Sequence, residues 1–308
     1  MVFIISFILA GEPIQHIIPF RFPGSFSIQK KANAIRVMDW NVAQFEIMQF
    51  KTAPDIKQKM IGLINEYQPD IACFQEMTCD DSVVDTQFGY HLKEFADTLQ
   101  FPYNYYAYNF REDFVQDIHF GIIIFSKYPI INTKMVSSPP HDYNSIFQYV
   151  DIVKDKDTIR IFNIHLQSLK FTPTNLHYLD SPTLKSEVDL KKTKSVLSKL
   201  RTGFLKRHLQ ADRIKAEIDK CPYPFIVCGD FNDVPNSYAS KIIGDGLKNA
   251  FVEKGHGLGR TFSGIAPTLR IDNIFTDKSF SIQQFIRINK KLSDHFPIIA
   301  DIARDKDD

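Results

Sequence analysis

The stretch Phe225-Ile226-Val227-Cys228-Gly229-Asp230-Phe231-Asn232 passes from apolar to polar within a few residues. Phe225 to Cys228 has the length and composition of a buried strand. The run then breaks into a glycine, a carboxylate and an amide. Gly229 permits a tight backbone approach, and Phe231 is expected to pack inward. Asp230 and Asn232 are thereby delivered to a strand end, where side chains from distant parts of a chain can meet. Taken alone, the stretch is also an ordinary strand-to-loop turn, which glycine and asparagine both suit.

The same pattern recurs along the chain. Ile35 to Trp40 reads as a buried strand with Asn41 at its end, and Ile71 to Phe74 points at Gln75 and Glu76. Thr158 to Ile164 leads to His165, Arg270 to Phe275 carries Asp272, and Asp294 and His295 precede the strand Ile298 to Ile302. Gly121 to Phe125 and Phe147 to Val153 are further strands. Lys154 to Asp157 is a polar turn whose shortness favours antiparallel pairing. Helical spacing places Ile56, Met60, Leu63, Ile64 and Tyr67 on one face of a helix from Asp55 to Tyr67. A short helix is expected over Leu92 to Leu99, and Lys170 to Leu184 reads as a surface connection. The helical region beyond it is expected to be interrupted at Gly203, with Phe204, Ala211, Ile214 and Ile218 sharing an apolar face afterwards. Helices alternating with strands at both ends, and closely spaced strands between, predict a mixed two-sheet α/β architecture.

Composition bounds the function. The chain has 308 residues, 44% of them hydrophobic, enough for a large core. Its 37 Lys plus Arg against 36 Asp plus Glu leave a net charge of +1, so no global field draws it to nucleic acid or to an anionic bilayer. The 27 Phe and 12 Tyr fit packed sheets better than an extended binding tail. Cys73, Cys79, Cys221 and Cys228 form neither a zinc knuckle nor a CxxC pair, and a Cys73 to Cys79 bridge stays open. The basic region Lys185 to Lys215 is broken by Glu187, Asp189 and Asp212 and reads as a solvated helical face.

Together, Asp39-Trp40-Asn41-Val42, Gln75-Glu76, Asn163-Ile164-His165, Gly229-Asp230-Phe231-Asn232, Arg270-Ile271-Asp272-Asn273-Ile274 and Ser293-Asp294-His295 resemble, in order, the landmarks of the endonuclease/exonuclease/phosphatase superfamily. That superfamily includes deoxyribonucleases, abasic-site endonucleases, inositol-polyphosphate phosphatases and sphingomyelinases. The resemblance implies a four-layer αββα sandwich of two mixed, mainly antiparallel sheets packed face to face. It also implies a divalent-metal-dependent hydrolase attacking phosphorus with water, with Mg²⁺ as cofactor and Mn²⁺ as the alternative. By this resemblance Glu76, Asn41 and Asp294 serve the metal. Asp230 positions or deprotonates the attacking water, and Asn232 binds phosphate or shapes the water site. His295 contacts the scissile phosphate, as a protonated stabiliser or through proton transfer, oriented by Asp272. His165 contacts phosphate and assists the leaving oxygen, and Gln167 and Ser168 add substrate or supporting contacts. His165 favours a phosphodiester of nucleic acid or phospholipid over an abasic site. A phosphomonoesterase acting on a phosphoinositide or soluble ester, and an inactive binding module, are the other readings. His119, Lys127 and Arg111 are weaker candidates, Lys127 being read mainly as the end of a strand.

The N-terminus stands apart. Met1 to Ala10 is almost wholly apolar but too short to span a bilayer alone, and it lacks the positive start of a secretory signal. It could be a peripheral membrane element, the end of a truncated spanning helix, or a strand covering the domain. The chain accordingly divides into an apolar segment 1–30, an enzymatic domain 31–303 and a charged tail 304–308, with membrane contact through residues 1–22. A monomer with no protein partner is expected, with a membrane-associated or exported location favoured and a cytoplasmic one left open.

Overall fold

In the computed structural model, the described residues are 15–19, 21–22, 24–45, 54–80, 92–109, 118–139, 141, 145–169, 171, 175, 187–264 and 269–305. The first sheet contains β1 (Ile35–Asn41), β2 (Ile71–Asp80), β3 (Tyr103–Tyr108), β4 (Ile118–Ser126), β11 (Phe280–Arg287) and β12 (Ile298–Arg304). Their spatial order is β11-β12-β1-β2-β4-β3. The second sheet, in the order β5-β6-β7-β8-β10-β9, contains β5 (Ile130–Ser137), β6 (Ile146–Lys154), β7 (Asp157–His165), β8 (Phe225–Asp230), β9 (Lys248–Asn249) and β10 (Asp272–Thr276). The helices are α1 (Ile56–Tyr67), α2 (Leu92–Thr98), α3 (Glu187–Ile218), α4 (Tyr238–Ile243) and α5 (Ala250–Lys254).

The period-two alternation of strand side chains divides the core into layers. Val37, Ile71, Cys73 and Ile124 of the first sheet pack against Val150, Ile161, Ile226 and Cys228 of the second. On the outer face of the first sheet, Met38, Trp40 and Phe74 meet Met60, Leu63 and Phe95 of α1 and α2. On the outer face of the second, Phe162, Ile164 and Val227 meet Ala211, Ile214 and Ile218 of α3. The result is the expected helix–sheet–sheet–helix sandwich. Full burial of each large apolar side chain contributes roughly 1.5–3 kcal/mol, so the three layers hold the sheets in fixed register.

One local expectation changes and one open alternative closes. The chain does not break at Gly203, because α3 runs continuously from Glu187 to Ile218. A Cβ at Gly203 would lie 2.4 Å from the Leu169 side chain, so this glycine serves close packing and not a helix end. Nor does Cys73 bridge to Cys79. Cys73 faces the inter-sheet core and Cys79 the outer face, and none of the four cysteines is in a disulfide.

Most of the surface connection Lys170 to Leu184, Arg111, and residues 1–14 of the apolar segment lie outside the described residues. Among the described residues no helix is long and apolar enough to cross a membrane. What is described of the N-terminal segment lies on the domain. Arg36 donates to Ile28 O at 2.7 Å and Ser27 O at 3.1 Å while forming a buried ion pair with Asp301 at 2.7 Å. Arg270 donates to Ile17 O at 3.1 Å and also to His16 O.

Candidate active site

Each sheet has one parallel pair, β1 with β2 and β7 with β8, so four strands end at the same rim. Asn41 is registered with Gln75, and His165 with Asp230. Antiparallel β10 sets Asp272 opposite Asp230 from the other side. Gly229 has φ +145°, and a Cβ there would stand 2.1 Å from Ile164 O. Only glycine lets β8 approach β7 this closely immediately before Asp230. Asn232, at φ +50°, then turns the chain back. Its backbone N–H donates to Asp230 Oδ1 at 2.8 Å, and its Nδ2 donates to Leu166 O at 3.0 Å and to Asp230 Oδ2 at 3.3 Å.

Glu76 owes its position to an irregularity in β2. The register with β4 slips between Phe74 and Met77, and Glu76 takes φ +52°. A bulge re-aims the side chain it carries. Glu76 Oε1 comes within 3.8 Å of His165 Nε2, which also lies 3.7 Å from Asp230 Oδ2. Asn41 Nδ2 donates to Asp230 Oδ2 at 3.1 Å, while Asn41 Oδ1 accepts from Ala43 N–H at 3.1 Å.

On the opposite side, His295 Nδ1 lies 3.0 and 2.9 Å from the two Asp272 oxygens, and His295 Nε2 faces Asp230 Oδ2 at 3.7 Å. Burial alone would depress the imidazole. Asp272 and Asp230 outweigh it and hold His295 well above the usual histidine range, favouring its protonated form. Asp230 is raised from the ordinary aspartate value, by burial first, with His295 opposing the shift. A carboxylate so raised is a stronger base than a solvated one. Asp294 is exposed at the rim beside Ser293, whose Oγ donates to Asn41 O at 2.9 Å.

The rim fits a divalent cation. Its donors are mostly carboxylate and amide oxygens, which suit hard cations. Burial, and then the charge of Asp294, push Glu76 up to about 7, a penalty that a bound cation relieves. Asp230, Asp272 and His295 also offer ligand atoms all within 4.8 Å of one another. Within that triad, however, His295 Nδ1 is already engaged by Asp272.

Sequence reasoning left the residues beneath the rim without roles. Gln75 Nε2 donates to Asp39 Oδ1 at 2.8 Å and to Asn163 Oδ1 at 2.7 Å, joining the sheets through a buried polar link. Asn163 Nδ2 in turn donates to Phe74 O at 3.1 Å and Ile123 O at 2.9 Å. Burial, then the charge of Asp272, raise Asp39 well above its ordinary value. Strand parity was the available signal, since Asp39 lies two residues before Asn41 and shares its inward face. Thr261 and Phe262 had none. Thr261 Oγ1 accepts from Ile271 N–H at 2.9 Å and Asp272 N–H at 3.1 Å, and the Phe262 ring packs 5.0 Å from the His295 ring.

Gln167 and Ser168 are tied to α3 and its surroundings. Gln167 N–H donates to Gln210 Oε1 at 2.9 Å, its carbonyl accepts from Arg207 at 3.1 Å, and its Nε2 donates to Ser168 O at 3.3 Å. Lys127 sits at the other end of the sheet, where its N–H donates to Asp70 O at 2.8 Å. His119 stacks on Tyr108 at 4.2 Å.

Comparison with known proteins agrees with this geometry. A model described as the Endonuclease/Exonuclease/phosphatase family matches residues 40–295. Among solved structures, a family protein from Bacteroides vulgatus is 16% identical with a TM-score of 0.60, covering 88% of this chain and 99% of that one. Another from Leptotrichia buccalis C-1013-b is 18% identical with a TM-score of 0.58, covering 87% and 98%. The human Nocturnin catalytic domain with bound sulfate anion is 16% identical with a TM-score of 0.58, covering 90% and 97%. At these identities the structural likeness establishes the fold. The search of curated proteins finds no match.

Proposed function

Because the chain belongs to the endonuclease/exonuclease/phosphatase family, and is a divalent-metal-dependent phosphoesterase on that ground and on its acid–histidine cluster, we propose that it hydrolyses phosphodiesters with Mg²⁺. The observation that carries this reading is the placement of His165 and His295 on either side of Asp230, each 3.7 Å from Asp230 Oδ2. Hydrolysis of a diester needs a base for the incoming water, positive charge beside the phosphoryl oxygens, and a group serving the departing alkoxide.

Asp230 accepts the proton of the attacking water, held in place by Asn41 and Asn232. His295, kept protonated and oriented by Asp272, stabilises the phosphoryl oxygens. His165 stands by the leaving oxygen. Glu76, Asn41 and Asp294 are the proposed metal ligands, and Mg²⁺ or Mn²⁺ bound there supplies Lewis-acid stabilisation of the phosphate charge. Gln167 and Ser168 remain proposed substrate contacts at the edge of the rim. A nucleic acid or a phospholipid would supply the diester. The sulfate in the Nocturnin structure supports a tetrahedral oxyanion as the kind of group such a fold accepts.

The test is a hydrolysis panel with metal-stripped protein, containing single- and double-stranded DNA, RNA, sphingomyelin, phosphoinositides and soluble mono- and diesters. Turnover should vanish without metal and return with Mg²⁺ or Mn²⁺, for a diester before a monoester. Undiminished activity after metal removal verified by elemental analysis, or activity confined to monoesters, rejects the proposal.

A further inference from the structure

A cleft of about 490 Å³ is lined by the end of β11, the loop after α5 and part of the N-terminal segment. Its polar walls are Arg260, Arg287 and His256, the two arginines carrying the charge, its apolar walls include Phe26, Phe251 and Phe285, and among the described residues no carboxylate lines it. Arg260 and Arg287 face the same cleft, and burial, then the charge of Arg260, hold Arg287 below the ordinary arginine range. Their hydrogen bonds go to neutral acceptors. Arg260 donates to Phe262 O at 2.8 Å and Ser263 O at 2.5 Å, and Arg287 donates to Asn289 Oδ1 at 3.3 Å. Neighbouring like charges partly withdrawn from water, with no counter-charge in the cleft, favour an anion. The planar guanidinium fork matches phosphate.

The position of the cleft connects it to catalysis. Arg287 and Asp39 are both registered with Ile298, so Arg287 stands at the end of the sheet where Asn41 opens the rim. Arg260 holds the carbonyl of Phe262, whose ring packs on His295, and Arg287 lies over the Phe296 ring at 4.9 Å. We propose that Arg260 and Arg287 form a second phosphate subsite, holding a phosphate group of the substrate other than the one being cleaved. The proposal rests on the phosphoesterase reading above and narrows it to substrates with more than one phosphate.

The full-length protein with Mg²⁺ would be assayed on bis(4-nitrophenyl) phosphate, on a short oligodeoxynucleotide and on glycerophosphoinositol bisphosphate. In Arg287→Gln, KM for at least one multiphosphate substrate should rise roughly tenfold at constant kcat, the loss of one charge-assisted contact. The substrate that responds identifies the source of the second phosphate. Arg260→Gln should act in the same direction, but it also releases Phe262, so Arg287→Gln is the deciding variant once its thermal unfolding matches the parent. Lys241→Gln, in a separate cavity beside α4, is the control. Unchanged KM for both multiphosphate substrates, or an equal rise for the single-phosphate ester, overturns the subsite. Inorganic phosphate gives a readout without turnover, since it should shift the Arg287 Nε–H resonance in the parent and lose that effect in Arg260→Gln. If the parent hydrolyses nothing, the phosphoesterase reading fails and this titration still decides the subsite. No shift there overturns it.

Discussion

In the proposed mechanism Asp230 and His295 do different work for the same buried charge cluster. Burial raises Asp230 and so strengthens it as a base, while the carboxylates beside His295 favour its charged form. Asp230→Asn and His295→Ala should each fold and lose at least roughly a hundredfold in turnover at saturating metal and substrate, the scale for a major catalytic group. Near-parental kcat in either would remove that residue from the chemistry. Glu76 gives a pH dependence whose sign is fixed by its upward shift. Its folded value near 7 exceeds the ordinary 4.5, so the metal-free folded state binds this proton more tightly than the unfolded chain does. Metal-free stability from this group therefore falls as pH rises from 4.5 to about 7. A cation must displace the same proton, so its affinity should rise between about pH 6 and 8. Calorimetry in buffers of different ionisation enthalpy should show protons released on binding at the lower pH. Affinity independent of pH over that range would mean Glu76 is not a ligand.

The elements around these residues were unevenly legible. Runs with one clear period, such as β1 and α1, stand in the structure where the sequence places them, because apolar spacing is set by the face that is buried. The bulge in β2 was not legible: the apolar run stops at Phe74, but the strand resumes past Glu76 and continues to Asp80. β3, β5 and β11 were also missed, because their half-exposed faces mix tyrosine, threonine, lysine and glutamine with apolar residues and leave no clean pattern. Gly203 was misread for a related reason, since a helix tolerates glycine when a neighbour needs the space. The candidate site was legible as a set of strand ends, but its support was not, because Thr261 and Gln75 act through contacts that no local spacing announces. Glycines at this scale yield a paired prediction. Gly229→Ala would force a Cβ into Ile164 O and should cost roughly 3 kcal/mol or more by urea denaturation. Gly62→Ala in α1, where the added Cβ meets nothing within 4 Å, should gain roughly 0.5–1 kcal/mol. A tolerated Gly229→Ala would mean that β7 and β8 need not approach so closely to place Asp230.

Across the whole molecule, the N-terminal segment joins parts that the chain keeps far apart. Ser27 N–H donates to Gln284 Oε1 at 2.9 Å and Gln284 Nε2 donates back to Ser27 O at 2.9 Å, while Phe26 packs 6.0 Å from Tyr67. Arg36 and Arg270 each donate to backbone carbonyls of this segment, and burial pushes Arg270 down to about 9. Arg270 lies two residues before Asp272, so whatever loosens it reaches the partner of His295. The apolar run Met1 to Ala10 nevertheless retains the composition of a membrane contact, so the two roles are best assigned to different stretches of the segment. A chain beginning at Lys31 loses the carbonyls and strands the buried donors, each at a cost of roughly 1–3 kcal/mol before water repairs part of it. Its Tm should fall by roughly 5–10 °C, and turnover of a small soluble diester should fall with it. A chain beginning at Gln15 keeps every one of these contacts, so its Tm and soluble-substrate turnover should match the parent while binding to anionic liposomes is lost. If the Lys31 chain melts with the parent, the segment is not part of the enzyme's frame. If the Gln15 chain still binds liposomes as the parent does, the membrane role of Met1 to Ala10 fails.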